Sequence, residues 1–254
     1  MKKQKIICFD VDGVLLNSDD ETTLVSWNEY NLWLKDLGLP YQRETNNISD
    51  VPKKWAKIWK SLSIYANKNY HRLGINILIL SKINSNFINS NIIHSLSEID
   101  EVQKKITIER VNSIRKKIIN DICYENLIKP FKEVDYNWVY NKHKNGELYL
   151  ITNNPFSIVG LTKIAFKPID DYVRTINTGI YNKSIHINEI KKKFRVNDDK
   201  IMFVDDKLPS LYEVKSNTNL FIDNIIQNNW TNNCSNINFK SLSFNEITNQ
   251  YNKL

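Results

Sequence analysis

The sequence predicts an α/β protein with a parallel β-sheet, interrupted by an inserted all-helical unit. Short apolar runs at residues 6–9, 148–151 and 201–204 each suit a strand that is buried on both faces. Helical stretches separate the later runs, and this alternation is typical of a parallel sheet covered by helices. The long segment between the first two runs shows only helical periodicity. We therefore expect it to form a unit of its own.

Length and composition fit two folded units and no extended charged tail. The 254 residues are 41% apolar and 25% charged, enough for one large core and a smaller second one. Lys plus Arg exceed Asp plus Glu by 35 − 28 = 7, which favours anionic ligands in general. The basic residues are scattered, with no aromatic-rich motif beside them. This pattern indicates solvated helix faces rather than a nucleic-acid surface.

The cysteines and the apolar runs indicate the cellular compartment in which the protein is expected. Cys8, Cys123 and Cys234 are odd in number and widely spaced, which argues against disulfides and a structural zinc site. The basic start resembles that of a signal peptide, but the apolar run after it is broken at Asp10. No apolar stretch has the length of a membrane span. We expect a cytoplasmic protein with no membrane association, and the sequence carries no signal for an oligomeric state.

The first strand ends in two carboxylates. Residues 6–9 lead directly into Asp10 and Asp12, and Gly13 allows a sharp turn out of the sheet. Open parallel sheets bind ligands at the carboxyl ends of their strands, so the pair has the position of a catalytic site. Aspartate is also common where any strand ends. The pair alone leaves both interpretations open.

Residues 17–128 read as almost entirely helical. Apolar residues recur three or four apart in three stretches. This pattern predicts a helix around residues 24–34, a second that begins after Asp50 with Pro52 in its first turn, and a third within residues 96–123 with capping residues at 97–100. The apolar face of the first helix contains Leu24, Trp27 and Leu34, and that of the second contains Trp55, Trp59 and Leu62. The third contains Val111, Ile114, Ile118 and Ile122. The predicted division is therefore a core of residues 1–16 and 129–254, and a helical unit of residues 17–128 joined by hinges near its two ends.

Strands and helices alternate in the second half, and the strands end in polar residues. The run at 148–151 is followed by Thr152 and Asn153, and the run at 201–204 by Asp205 and Asp206. Further elements are predicted as helices near 134–139, 156–166, 185–194 and 209–214, and as strands at 173–176 and 220–222.

These strand ends have complementary chemistry. Carboxylates follow the first and fourth strands and a hydroxyl follows the second, while Lys183 lies in the loop predicted before the helix that leads to the fourth strand. Such a set can hold a phosphoryl group and a divalent cation. Taken singly, Thr152 could be a helix cap and Lys183 a solvated loop residue.

Four segments together resemble the motifs of the haloacid dehalogenase superfamily. They are residues 9–14, residues 150–153, Lys183 and residues 203–206, in that order. The resemblance implies a three-layer, Rossmann-like core with the helical unit inserted as a cap. One departure is Ser184, because the family often has proline after the third-motif lysine. Lys167–Pro168 is a rival, but the 22 positions from Lys183 to Asp205 just fit one helix and one strand.

The resemblance implies roles for the motif residues. Asp10 would be the nucleophile that forms an aspartyl-phosphate, and Asp12 the general acid and base. Thr152, Asn153 and Lys183 would bind the phosphoryl oxygens.

The resemblance also implies a Mg²⁺ site. Its ligands would be the Asp10 carboxylate, the backbone carbonyl of Asp12 and the carboxylates of Asp205 and Asp206, with Asp206 the more direct of the last two.

The expected function is Mg²⁺-dependent hydrolysis of a small phosphorylated metabolite, such as a sugar phosphate. Asp12 is absent from the dehalogenase branch of the family, and a cap of this size leaves little access for a large polymer. The alternatives are a phosphomutase of the same fold and a non-catalytic protein that binds nucleic acid or an acidic partner. Candidates for substrate recognition in the cap are Trp27, Trp55, Trp59, His71 and Arg72, although such tryptophans are more often core and such basic residues more often surface.

Overall fold

The computed structural model describes residues 4–66, 68–83, 88–98, 100–120, 124–154, 156–164, 175–177, 182–231 and 238–254. The chain divides into two compact units. The α/β unit comprises the chain up to Asn17 together with Lys129–Leu254, and the helical unit comprises Ser18–Ile128.

Among its described residues, the α/β unit contains a parallel sheet of six strands. They are β1 Ile6–Phe9, β4 Leu148–Thr152, β5 Thr175–Asn177, β6 Ile201–Asp205, β7 Ile225–Asn228 and β8 Lys240–Leu242. The spatial order is β5-β4-β1-β6-β7-β8, so the first strand of the chain lies near the middle. All five pairings are parallel, with Ile7 opposite Leu148 on one side and Met202 on the other. The predicted fold class and the predicted neighbours of the first strand are confirmed.

Helices cover both faces of this sheet. They are α7 Tyr136–Lys144, α8 Phe156–Ile164, α9 Lys183–Phe194, α10 Leu208–Asn217 and α11 Phe244–Lys253. Alternate residues of β1 belong to two separate hydrophobic clusters. Ile7 and Phe9 pack with residues of α7, α8 and α11, whereas Ile6 and Cys8 pack with residues of α9 and α10. This two-sided burial explains why β1 is a continuous apolar run rather than an alternating one.

A short antiparallel pair stands where the chain leaves and re-enters the α/β unit. It joins β2, Leu16–Asn17, to β3, Lys129–Pro130. Tyr136 supports this pair, because its hydroxyl donates to the carbonyl of Leu15 and accepts from the N–H of Phe131.

The helical unit contains six α-helices among its described residues. They are α1 Asp19–Asp36, α2 Lys53–Ser63, α3 His71–Leu80, α4 Ser90–Ser97, α5 Glu101–Ile119 and α6 Tyr124–Leu127. The helical nature of this segment is as predicted, but its elements differ. The helix expected within 96–123 is α5, and Asp100, one of the expected capping residues, caps it by accepting from the N–H groups of Val102 and Gln103. Helix α4, which ends at Ser97, was not predicted. Helix α3 was not predicted.

Several predictions for the α/β unit are wrong in detail. The strand expected at 220–222 is instead β7, which begins at Ile225, because the chain first passes through a 3-10 turn with Phe221 and Ile222 exposed. Lys183 lies in the first turn of α9, not in a loop before it. β8 and α11 were not predicted. Of the strand expected at 173–176, only residues 175 and 176 are described, and they lie in β5.

The structure also bears on the cysteines and on membrane-spanning helices. Cys8 is buried in β1, while Cys123 and Cys234 lie outside the described residues. In the part of the chain that the structure covers, none of the helices has the length and apolar character needed to cross a membrane.

Candidate active site

Asp10 is fixed immediately after the central strand. Its backbone N–H donates to the carbonyl of Val204 at 3.0 Å, which extends the pairing of β1 with β6 by one residue. One carboxylate oxygen, Oδ1, accepts from the N–H of Val11 at 2.9 Å. The side chain is buried, and its second oxygen, Oδ2, contacts Lys183.

Lys183 joins the ends of two strands. Its Nζ lies 2.9 Å from Oδ2 of Asp10 and 2.7 Å from Oδ2 of Asp205. The side chain is 3% exposed, so the alternative of a solvated loop lysine is wrong. The rival pair Lys167–Pro168 lies outside the described residues.

Asp205 and Asp206 lie at the end of β6 and are both buried. Oδ1 of Asp205 accepts from the N–H of Lys207 at 2.9 Å, which orients its other oxygen towards Lys183. Asp206 lies against the loop after β1. Gly13 there has φ of +78°, and a Cβ at this position would stand 2.3 Å from Cγ of Asp206. Both the backbone conformation and the close approach therefore require glycine.

The three buried aspartates can share one cation. Asp10, Asp205 and Asp206 each offer one carboxylate oxygen, and these atoms all lie within 4.8 Å of one another. Ligands on opposite sides of a Mg²⁺ ion are about 4 Å apart, because each bond is about 2.0–2.1 Å long. The separations of the three oxygens are close to this range. The donor set of hard carboxylate oxygens fits Mg²⁺.

The pKa values of the buried aspartates and of Lys183 reflect how close their charges lie to one another. Burial raises the pKa of Asp10 to about 7; the Lys183 charge opposes this rise, and the charges of Asp205 and Asp12 add to it. Burial and then the Asp205 charge also raise the pKa of Asp206 well above its usual range. Burial opposes the charged form of Lys183, but the Asp10 and Asp205 charges outweigh it and raise its pKa. Lys183 is buried among these three carboxylates, and the Lys207 charge opposes the rise in the pKa of Asp206. A divalent ion would offset the remaining negative charge.

Asp12 faces a different set of partners. Its Oδ2 accepts from Nδ2 of Asn154 at 3.1 Å and from the hydroxyl of Ser157 in a short contact. Both donors follow β4, and Ser157 lies in the first turn of α8. The sequence reasoning missed them. The available signal was their place in the polar segment directly after a strand that was predicted to line the site.

Thr152 and Asn153 occupy the predicted strand end. Thr152 is buried at the last position of β4, and its hydroxyl accepts from the N–H of Asn154 at 3.0 Å. It also donates to the carbonyl of Asn154 at 3.3 Å. The hydroxyl thus shapes the turn between β4 and α8. Asn153 is half-buried beside it. Contact of either residue with a phosphoryl group stays a prediction.

The five recognition candidates of the helical unit are all buried within it: Trp27, Trp55, Trp59, His71 and Arg72. The rings of Trp27 and Trp55 are 5.0 Å apart, and Trp59 stacks on Trp55 at 6.3 Å. The expectation that His71 and Arg72 lie at the surface is wrong. Arg72 donates from Nε to the hydroxyl of Ser26 at 2.9 Å. A role of any of the five in substrate recognition stays a prediction.

Comparison with known proteins supports the fold. No model of a protein family matches the sequence. Among curated proteins, none matches it either. Solved structures do match: a predicted phosphatase from Clostridium acetobutylicum has 14% identity and a TM-score of 0.56, with all of both chains covered. A beta-phosphoglucomutase from Clostridium difficile has 17% identity and a TM-score of 0.54, with 98% of both chains covered.

A third match carries the name of the resembled superfamily. This protein from Bacteroides fragilis, described as a haloacid dehalogenase-like hydrolase, has 13% identity and a TM-score of 0.53. The match covers 94% of this chain and 95% of that one. The chain therefore has the haloacid dehalogenase-like fold that the motifs predict.

Proposed function

We propose that the protein is a Mg²⁺-dependent phosphatase that hydrolyses a small phosphorylated metabolite through an aspartyl-phosphate at Asp10. One observation carries this proposal: Lys183 bridges Asp10 and Asp205 inside a buried group of three carboxylates. A nucleophile, a fixed cation and metal-ligating oxygens thus converge at adjacent strand ends, as phosphoryl transfer requires. Solved structures of this fold include proteins named as phosphatases, which agrees with the proposal.

The reaction takes place in two displacements at phosphorus. A carboxylate oxygen of Asp10 attacks the phosphorus, and the bond from phosphorus to the ester oxygen breaks. Asp12 gives its proton to that oxygen, and the product leaves as an alcohol. Asp12 then takes a proton from water, whose oxygen attacks the phosphorus, releases inorganic phosphate and restores Asp10. The hydrogen bonds from Asn154 and Ser157 hold the Asp12 carboxylate in place for both proton transfers.

Positive charge stabilises the transferring group. The Lys183 ammonium faces the oxygens on which charge accumulates, and Thr152 and Asn153 supply further polar contacts at the end of β4. Asp10, Asp205 and Asp206 would hold Mg²⁺, which would supply positive charge against the remaining negative charge of the substrate.

The first test is phosphate release from a panel of phosphorylated metabolites, with and without Mg²⁺. The panel includes sugar phosphates and phosphoglycolate. We expect release from at least one of them that depends on Mg²⁺ and is abolished by Asp10→Asn. The matched control is Asp223→Asn, which removes an exposed carboxylate paired with Lys240. Equal release by Asp10→Asn and the parent protein would contradict the proposal.

Phosphomutase activity is a second candidate, because a protein of the same fold is named beta-phosphoglucomutase. A mutase returns the phosphoryl group to another hydroxyl and protects it from water. The discriminating measurement follows a sugar phosphate by NMR together with free phosphate. An isomeric sugar phosphate that accumulates without free phosphate would favour the mutase, and stoichiometric free phosphate would favour the phosphatase.

A further inference from the structure

A side chain from another helix holds the first turn of α9. Ser184 follows Lys183 and is buried. Its backbone N–H donates to Oε2 of Glu213 at 3.3 Å, and its hydroxyl donates to Oε1 in a short contact. Glu213 lies 29 positions further along the chain, on α10. Both the N–H and the hydroxyl of Ser184 thus donate to the carboxylate of Glu213.

This turn lacks the usual local stabilisation. Asn182 occupies the N-cap position of α9 but makes no side-chain hydrogen bond to the helix, and the first turn holds no acidic residue. Helix N-termini have backbone N–H groups that need acceptors, and their partial positive charge disfavours a nearby cation. Lys183 is such a cation. The carboxylate of Glu213, on another helix, accepts from the N–H of Ser184 and places a negative charge beside the first turn of α9. No residue of that turn provides either feature.

The geometry of Lys183 depends on this turn. A lysine side chain is flexible, so the start of its chain must be fixed for Nζ to meet two carboxylates at 2.9 and 2.7 Å. A displacement of about 1 Å in a catalytic group costs about 10²-fold in rate. We propose that Glu213 is a positioning residue: by holding Ser184 it fixes the turn from which Lys183 reaches Asp10 and Asp205. Its effect on turnover rests on the function proposed above.

A purely structural role would be to hold α9 and α10 together. Another contact between the same two helices provides the control, because Nδ2 of Asn188 donates to the backbone carbonyl of Asn217 at 3.1 Å. The side chain of Asn217, which donates to the carbonyl and Oε1 of Glu213, is left in place when Asn188 is replaced. Loss of this contact weakens the packing of the helices without releasing the first turn. Comparison of the two contacts separates packing from positioning.

The experiment compares Glu213→Ala with Asn188→Ala in the full chain. We expect Glu213→Ala to lower turnover about 10- to 100-fold, and Asn188→Ala to stay within about threefold of the parent. Glu213→Gln should be intermediate, because one amide oxygen remains as an acceptor. Urea unfolding of both variants shows whether the difference exceeds any difference in stability. Equal turnover of the two alanine variants at equal stability would overturn the proposal.

A rescue variant sharpens the test. Proline presets the first turn of a helix and needs no acceptor for an N–H, and Pro209 already occupies the second position of α10. Ser184→Pro should therefore restore much of the activity lost in Glu213→Ala. The single variant Ser184→Pro is measured first, as the control for the substitution itself. If it is active, and the double variant of Ser184→Pro with Glu213→Ala is no more active than Glu213→Ala alone, the positioning role is contradicted.

A structural readout separates this proposal from the function. In a crystal structure of Glu213→Ala we expect Nζ of Lys183 to lose its contact with Asp10, with Asp205 or with both. Unchanged contacts would overturn the proposal whatever the enzyme does. Failure of the parent protein to release phosphate would overturn the proposed function alone.

Discussion

The two units bury charge in different ways. In the helical unit, Nε of Arg115 lies 3.0 Å from Oε1 of Glu21, and both side chains are almost wholly buried. One positive charge meets one negative charge. In the α/β unit, Lys183 lies among the buried carboxylates of Asp10, Asp205 and Asp206. The same burial there leaves a negative excess.

The difference separates a structural ion pair from a candidate site. A buried pair that is balanced and hydrogen-bonded offsets its own desolvation and links the helices that carry it. A buried excess of one sign stays unfavourable until a ligand of the other sign binds. The imbalance of charge, rather than burial or ionisation alone, therefore makes the ends of β1 and β6 the candidate site.

The largest expected effects concern Asp10 and Asp12. Asp10→Asn should abolish turnover, because an amide oxygen is a poor nucleophile. Asp12→Asn should lower turnover by about 10²- to 10⁴-fold, because it slows both proton transfers. With an activated substrate whose leaving group needs no proton, Asp12→Asn should still give a burst of product followed by slow turnover. Stopped-flow measurement detects the burst, and a burst in Asp10→Asn instead would reverse the assigned roles.

The next effect tests the balanced pair of the helical unit. Arg115→Met should lower the free energy of unfolding by about 3–5 kcal/mol, because it leaves the Glu21 carboxylate buried without its partner. Lys117→Met is the matched control on the same helix, since Lys117 forms an exposed pair with Glu44 and should cost less than about 1 kcal/mol. Urea titration measures both. Similar costs for the two variants would mean that the buried pair is not a structural link.

Metal binding tests the unbalanced group. Mg²⁺ at 100 times its dissociation constant should stabilise the parent protein by about 2.7 kcal/mol, or about 5–10 °C in Tm. Asp206→Asn should lose this gain. Without metal it should be slightly more stable than the parent, because one of the mutually repelling buried carboxylates becomes neutral. Differential scanning fluorimetry with and without Mg²⁺ measures this, and Asp223→Asn should respond as the parent does. An undiminished gain in Asp206→Asn would remove it from the ligand set.

The smallest effect is a pH dependence in the helical unit. Burial raises the pKa of Glu29, an effect opposed by the hydrogen bond from Asn76 and the Arg72 charge. As the pH rises above about 4.3, the unfolded chain releases this proton while the folded chain keeps it. The folded state therefore loses relative stability until the pH passes the raised pKa. Glu29→Gln should remove this loss, which amounts to about 1.4 kcal/mol for each pH unit between the unfolded and folded pKa values.

Unfolding at several pH values between 4 and 8 measures the effect. Glu44→Gln, at a more exposed carboxylate of the same unit, is the control. A stability difference between Glu29→Gln and the parent that stays constant with pH would contradict the assignment.

The sequence predicted the three central strands of the sheet and their charged ends well, because both follow from short-range patterns. A strand buried on both faces is an apolar run, and Asp10, Asp205 and Asp206 directly follow such runs. The partners of Asp12 were missed because their direction depends on the turn after β4. Glu213 was missed because it meets Ser184 only when two helices pack together, and nothing local marks that encounter.

The C-terminal elements were missed for another reason. β8 contains three residues at the edge of the sheet, and its sequence Lys240–Leu242 has no apolar run. α11 did have a signal, a capping box in which Ser243 and Glu246 satisfy each other's backbone N–H groups. Its apolar stripe of Phe244, Ile247 and Tyr251 is short, and the Asn-rich stretch before it masked the pattern. Likewise, local sequence does not show that His71 and Arg72 are buried, because the elements that cover them lie elsewhere in the chain.

The position of β1 in the sheet has a consequence for biosynthesis. β1 leaves the ribosome before both of its neighbours in the sheet, β4 and β6, which follow it by about 140 and 195 residues. At 5–20 residues per second, β1 waits about 10–40 s for its second neighbour. Over that interval an apolar segment with two open edges stays exposed to chaperones and to other nascent chains. The helical unit, whose contacts lie within one continuous stretch, can form meanwhile and shorten the effective loop that β1 must close.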